Sequence, residues 1–260
     1  MAERPDKEKE EELAEGTLIS HLIELRQRLL YSVYAVLIVF VCLVPFAQEI
    51  YTFVSQPMQD SLPEGQTLIA TGVATPFLTP FKTALLAALF VAMPVVIYQA
   101  WRFIAPGLYR SEKRFAMPLV FSSIVLFYCG TAFAYFLVFP LVFEFFALAV
   151  PQGVVQAPDI NQYLDFVLTI FFAFGMAFEV PIATFMLVWS RLVSIETLSK
   201  ARAYVFLGAF VVGMFLTPPD MISQTLLALP MYVLFEGGII LSRVLLADRF
   251  REEAQAESSD

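Results

Sequence analysis

AYVFLGAFVVGMFLTPPDMISQTLLALPMYVLFEGGIILS, residues 203–242, decides how many times this chain crosses a membrane. A helix needs about 20 mostly apolar residues to cover a hydrocarbon core of roughly 30 Å, and this stretch is long enough for two. Thr217-Pro218-Pro219-Asp220 interrupts it. Adjacent prolines remove two backbone donors and restrict the residue before each, so this is a turn. Working outward toward the N-terminus, charge-free runs reach spanning length at 29–48, 83–101 and 115–143, and at 166–190 once Glu179 is admitted.

The expected fold class is therefore all-α: an integral membrane protein with six transmembrane helices, at about 29–48, 79–104, 115–143, 163–190, 203–216 and 222–242. They form one membrane domain over 18–246, between acidic tails at 1–17 and 247–260 expected to be solvated and disordered. The composition agrees. Of 260 residues 59% are apolar and 15% charged, against roughly 45–50% and 25% in soluble domains. The acidic N-terminus has no apolar h-region, which argues against a cleavable secretory signal before the first span. Pro94, Pro118, Pro140, Pro181 and Pro230 fall inside helical runs. Each frees a carbonyl, so kinked helices around a concave face are expected rather than a straight bundle.

Basic residues in short loops stay on the cytoplasmic side. All of the 16 Lys and Arg except Lys82 fall in the N-terminal segment, the second-to-third and fourth-to-fifth connections, or the C-terminal end. The opposite loops carry Glu49, Asp60, Glu64, Asp159, Asp165 and Asp220. Both termini are thus expected in the cytoplasm. Lys82, near the outer end of the second span, reaches the interface by snorkelling.

Four constellations carry chemistry. In Ser20-His21-Leu22-Ile23-Glu24-Leu25-Arg26-Gln27-Arg28, Leu18, Leu22, Leu25 and Leu29 recur at helical spacing and Glu24 pairs with Arg28 at i,i+4; an interfacial helix anchored by its cations accounts for this without further function. In the connection 101–114, Glu112 is a lone carboxylate among Arg102, Arg110, Lys113 and Arg114, with Phe103 nearby. Two readings stay open there: a local charge balance, or a site for a cationic peptide, since guanidinium pairs with carboxylate and stacks on rings. Glu179 lies near the middle of the fourth span, two residues before Pro181, where an ionisable group marks a functional site or else caps the carbonyl that Pro181 frees. A charged carboxylate there is costly, so Glu179 should be protonated or paired. Glu144 and Glu236 lie nearer helix ends and are expected to snorkel. In the outer turn, Asp220 is placed to cap the sixth helix and Gln224 to bond another helix. The apolar stretch 204–216 before that turn has about 20 Å of reach, some 10 Å short of a bilayer.

HLIELRQRLL, YQAWRFIAPGLYRSEKR, AFAYFLVFPLVF, AFGMAFEVP and FVVGMFLTPPDMISQTLLALPMY together resemble the TatC family, the multispanning subunit of twin-arginine protein translocases. The likeness runs over 18–246. It implies a core receptor in the cytoplasmic (inner) membrane of a bacterium, binding twin-arginine signal peptides of folded precursors. It further implies work with the single-span TatA and TatB subunits, homo-oligomers in the complex, and transport driven by the proton-motive force. Carried over by position, signal-peptide binding falls on Glu24, Arg26, Phe103 and Glu112. The intramembrane polar or partner contact falls on Glu179 and Gln224, and outer-loop function on Pro57 and Asp220.

A secondary transporter using Glu179, Glu144 and Lys82 is the alternative; it predicts activity from this chain alone in liposomes. No enzyme is expected. His21, the only histidine, precedes the first span, and the aspartates nearest to spans, Asp165 and Asp220, lie outside the apolar runs, which leaves neither a Ser-His pair nor an aspartyl pair. One histidine and two cysteines, Cys42 and Cys129, are too few for most metal sites; no cofactor and no nucleic-acid partner is expected. The cysteines are expected as buried structural thiols.

Overall fold

The computed structural model describes residues 4–62, 66–104, 113–151, 154, 157–216 and 221–246. They are all-helical: α1 Arg4–Leu43, α2 Ala47–Ser61, α3 Thr75–Ile104, α4 Lys113–Phe133, α5 Phe139–Leu148, α6 Ile160–Ala177, α7 Val180–Trp189, α8 Ile195–Lys200, α9 Arg202–Leu216 and α10 Met221–Leu245. A 3-10 turn, Val44–Phe46, joins α1 to α2, and a π-helical segment, Ala134–Val138, joins α4 to α5. The one β-type contact among these residues is an isolated bridge between Ile69 and Asp159.

Five helical tracks are long and apolar enough to cross a membrane: Ile19–Ser61, Thr75–Ile104, Met117–Leu148, Ile160–Trp189 and Gln224–Leu245. The sixth apolar helix, α9, has 15 residues and reaches about 22 Å at 1.5 Å per residue. Three expectations need correction. The acidic segment from Arg4 is helical and continuous with the first span, because Glu, Lys, Ala and Leu are strong helix formers. The first span does not give way to an irregular outer loop, since α2 continues the track to Ser61. Cys42 and Cys129 are free and exposed, as apolar residues can be where lipid takes the place of a core. The tail 247–260 lies outside the described residues.

Proline acts in two ways. Pro94, Pro118 and Pro230 sit within unbroken helices. Pro140 follows the π segment and Pro181 opens α7; at both, a missing N–H and a crowded ring end the regular ladder and a new helix restarts.

The chain divides into two compact units, Met1–Ile50 with Phe81–Val120, and Tyr51–Pro80 with Phe121–Asp260. In the first, α1 and α3 are tied by side chains described below. In the second, α4 and α6 approach closely through glycine: a Cβ on Gly130 would sit 2.5 Å from the Phe174 carbonyl oxygen, and one on Gly175 2.5 Å from the Phe127 ring. Arg202, at the start of α9, grips Glu236 of α10 with Nε at 2.7 Å from Oε1 and a second nitrogen at 2.8 Å from Oε2, and the Tyr232 hydroxyl donates to Glu236 at 2.9 Å. Glu236 is thus held in a bidentate pair rather than snorkelling, and the pair sets the depth of α9 against α10.

Two loops of the second unit are clamped to each other. The Ile69 N–H donates to the Pro158 carbonyl and the Ile160 N–H to the Ile69 carbonyl, both at 2.9 Å. Asp159, 8% exposed, takes the Thr71 hydroxyl at 2.7 Å and the Thr71 N–H at 2.9 Å on one oxygen. With the other it caps α6, accepting from the N–H groups of Asn161 and Gln162. These donors, those of Thr71 foremost, hold the carboxyl at about 2 against an ordinary 3.8. Because the folded value is the lower one, the charge stabilises the clamp above about pH 4, and that contribution disappears as pH falls through about 2. Asp159→Asn should accordingly melt earlier than the parent in detergent at neutral pH, with the gap closing as the medium is acidified through this window. A gap independent of pH would remove the charge from the account.

Candidate functional site

The candidate residues fall into three places. The first is where α1 packs on α3. Arg28 of α1 donates one nitrogen to Glu24 at 3.0 Å and another to the Gln99 side-chain oxygen of α3 at 3.3 Å. Toward the N-terminal end of α1, the His21 ring stacks on the Phe103 ring with centroids 4.3 Å apart and planes 18° from parallel. Glu24 and Phe103 are half-buried and Arg26 is exposed. The i,i+4 pair read from sequence is therefore formed, and it is extended by a second helix. Glu112 lies outside the described residues.

The second place is the break between α6 and α7. Glu179 stands between the two helices in αR conformation. Its N–H donates to the Met176 carbonyl at 3.1 Å and its own carbonyl accepts from Ala183 at 2.9 Å. The side chain turns to α4, where the Ser123 hydroxyl donates to Oε2 at 2.6 Å. Ser123 is fully buried. The second oxygen, Oε1, is buried with no hydrogen-bond partner among the described residues. Of the two readings of Glu179, capping the carbonyl freed by Pro181 is not what the side chain does, since its one hydrogen bond goes to Ser123 and its other oxygen meets no partner. The site holds a carboxyl group with one oxygen engaged by Ser123 and the other buried without a donor among the described residues.

The third place surrounds Pro57, which lies inside α2 rather than in a loop. A proline has no N–H for the carbonyl four residues earlier, which here belongs to Phe53. That carbonyl accepts from the Tyr135 hydroxyl at 2.9 Å, and the next one, Val54, accepts from the Tyr163 hydroxyl at 2.7 Å. Tyr135 comes from the π segment and Tyr163 from the first turn of α6. Pro57 thus opens the Phe53 carbonyl to Tyr135, the neighbouring Val54 carbonyl takes Tyr163 as well, and α2 is fastened to two other helices; the Phe53 ring adds a stack on Tyr135 at 4.9 Å.

Gln224 of α10 donates to the Phe210 carbonyl of α9 at 2.7 Å, so its expected helix-to-helix bond is made within this chain. Asp220 lies outside the described residues. The sequence marks Asp159 only as an outer-loop acid, and it does not single out Ser123, Tyr135, Tyr163 or Thr71. The signal for the tyrosines was present: a phenol inside an apolar run needs an acceptor, and each helical proline supplies one.

Comparison with known proteins identifies the company this chain keeps. The family model described as "Sec-independent protein translocase protein (TatC)" matches residues 20–230. The TatC protein of Azotobacter chroococcum mcd 1 is 58% identical over 98% of this chain and 97% of its own length. That of Escherichia coli K12 is 55% identical over 91% of this chain and 92% of its own. A crystal structure of a twin arginine translocase receptor, TatC, superposes with a TM-score of 0.76 at 38% identity, covering 86% of this chain and 98% of that one.

The geometry at Pro57 makes a double-substitution test decisive. Tyr135→Phe leaves the Phe53 carbonyl without a donor, which costs about 1–3 kcal/mol and should lower the melting temperature in detergent. In a Pro57→Ala background the restored N–H satisfies that carbonyl, so Tyr135→Phe should then cost much less. Additive effects of the two substitutions would show that they do not act on one acceptor.

Proposed function

This chain belongs to the TatC family, the Sec-independent protein translocase proteins, and from that premise we propose that it is the translocase's receptor for twin-arginine signal peptides of folded precursors. It is a multi-pass membrane protein and a component of a protein translocase. The bacterial cytoplasmic membrane is its location, with six crossings, α9 included, and both termini in the cytoplasm, as the distribution of Lys and Arg requires. The observation that carries the reading is the packing of the middle of α1 on the C-terminal end of α3, where the Glu24 carboxylate and the Phe103 ring stand on two helices held by Arg28 and Gln99. A carboxylate beside an aromatic face is what an arginine side chain recognises, by bidentate pairing and by stacking. Glu112 supplies the second carboxylate from the connection after α3, and Arg26 belongs to the same recognition segment.

Partner subunits, the single-span TatA and TatB, dock at the membrane-embedded face near Glu179. Glu179 is half-buried and its buried Oε1 lacks a donor; turned outward, the carboxyl gives a donor-bearing partner helix a hydrogen bond where dispersion is otherwise all that holds helices together in lipid. Gln224, bonded to Phe210, shapes the α9–α10 part of that face, and Pro57 and Asp220 maintain the outer side. Copies of this chain gather in the working complex, and the proton-motive force drives transport. The reach of α9, about 22 Å, thins the bilayer beside it and lowers the barrier to a large cargo.

Photo-crosslinking a twin-arginine signal peptide to membranes holding this protein, against a twin-lysine control, tests the receptor assignment; equal labelling overturns it. Charge-assisted pairs contribute about 1.5–3 kcal/mol, so Glu112→Ala should weaken peptide binding by one to two decades and Glu112→Asp by less. Normal binding by Glu112→Ala would remove that carboxylate from the site. Glu179→Ala should leave signal-peptide binding and melting temperature unchanged while reducing partner crosslinks and export, whereas Glu179→Gln keeps most activity if a hydrogen bond suffices. Should Glu179→Ala melt early yet still crosslink to its partners, the residue serves only this chain's own fold.

A further inference from the structure

His21 is the only histidine in the chain, and the recognition chemistry set out above gives it no part. Its ring nevertheless lies flat on Phe103, with centroids 4.3 Å apart and planes 18° from parallel. His21 is exposed and Phe103 half-buried. An exposed imidazole is well solvated and free to rotate, so a close parallel stack at this position is a contact with a specific consequence: it covers one face of the phenyl ring and fixes its plane. We propose that His21 is a positioning residue, which holds Phe103 so that the opposite ring face meets a guanidinium of the twin-arginine signal peptide. The proposal rests on the reading of Phe103 as part of the signal-peptide site.

The surrounding contacts support a fixed platform. Arg28, two turns along α1 from His21, holds Glu24 and Gln99 together, so the stack is the terminal rung of a cross-helix ladder. Phe103 is the penultimate residue of α3, where a helix end frays and an unsupported ring would sample several orientations. Among the described residues its other face makes no ring contact. Glu24, three residues from His21, shares its side of α1, and Arg28 engages only one of its oxygens. A planar guanidinium stacks well on an aromatic face, while an ammonium is a compact and strongly hydrated charge. Orienting the ring therefore bears on arginine-over-lysine selectivity more than on the total attraction for cations.

Freeing one immobilised side chain corresponds to roughly threefold to tenfold in affinity. With the full-length protein in detergent, a fluorescent twin-arginine signal peptide should bind His21→Ala that much more weakly. A twin-lysine peptide should bind as before and the melting temperature should hold, so selectivity narrows by the same factor. His21→Phe, which keeps a flat ring, should restore parental binding. If His21→Ala melts early, His21→Gln and His21→Phe become the comparison, and equal affinity in that pair overturns the stacking role. Parental binding by His21→Ala together with weak binding by Phe103→Ala overturns this proposal alone. Parental binding by Phe103→Ala as well overturns the reading of Phe103 as a peptide contact. Equal loss for both peptides in His21→Ala shows that the residue sets general attraction and not selectivity.

Discussion

In hydrocarbon no water is available to a backbone amide, and every N–H and C=O must find its partner within the protein. Nearly everything distinctive in this structure follows from that constraint meeting the helix-breaking prolines. Pro57 strands the Phe53 carbonyl, and Tyr135 reaches it from another helix. Pro140 cannot donate, and the backbone ahead of it widens into a π segment, which is where Tyr135 is carried. One local defect is thus placed to satisfy another, and the bond between them is also a tertiary contact. Polar side chains elsewhere serve the same need: Gln224 on the Phe210 carbonyl and Ser61 on that of Pro57.

The same constraint accounts for where functional chemistry can reside. A regular helix has no backbone capacity to spare, so polar groups gather where it is interrupted. The α6–α7 break holds Glu179, bound on one side by a buried serine and left without a donor on the other. The carboxyl there is tolerable because Ser123 satisfies one oxygen, and it is incomplete because nothing among the described residues satisfies the second. A group left this way by its own chain is suited to a partner that brings a donor. The most apolar window of the first track, none of it buried within the chain, likewise leaves a long surface to lipid or to other helices.

At the ends of the helices water returns and charge takes over. Asp159 serves two loops and a helix N-terminus with one carboxylate, while Arg202 and Glu236 fasten the short α9 to α10. Between α1 and α3 the ties are an ion pair shared with an amide, and a stack of rings. These links are short and specific, and they fix elements whose apolar surfaces lipid satisfies nearly as well as protein does.

Sequence alone determined the helical class, the presence of several apolar runs long enough to cross a membrane, and the family, because transfer into lipid depends on the length and polarity of a continuous run and so is written locally. It also marked Glu179, since an acid inside an apolar run stands out without any knowledge of its neighbours. It misplaced Pro57 in a loop, took the N-terminal acidic segment for a disordered tail, and buried two cysteines that are exposed. In each case the error lay in inferring surroundings from composition. Only the tertiary structure decided what each polar group touches. Tyr135 meets Phe53 across 82 positions, Asp159 meets Thr71 across 88 and Glu179 meets Ser123 across 56. Such pairings depend on how distant elements pack, as the close approach of α4 and α6 at Gly130 and Gly175 does, and no single stretch of sequence contains that.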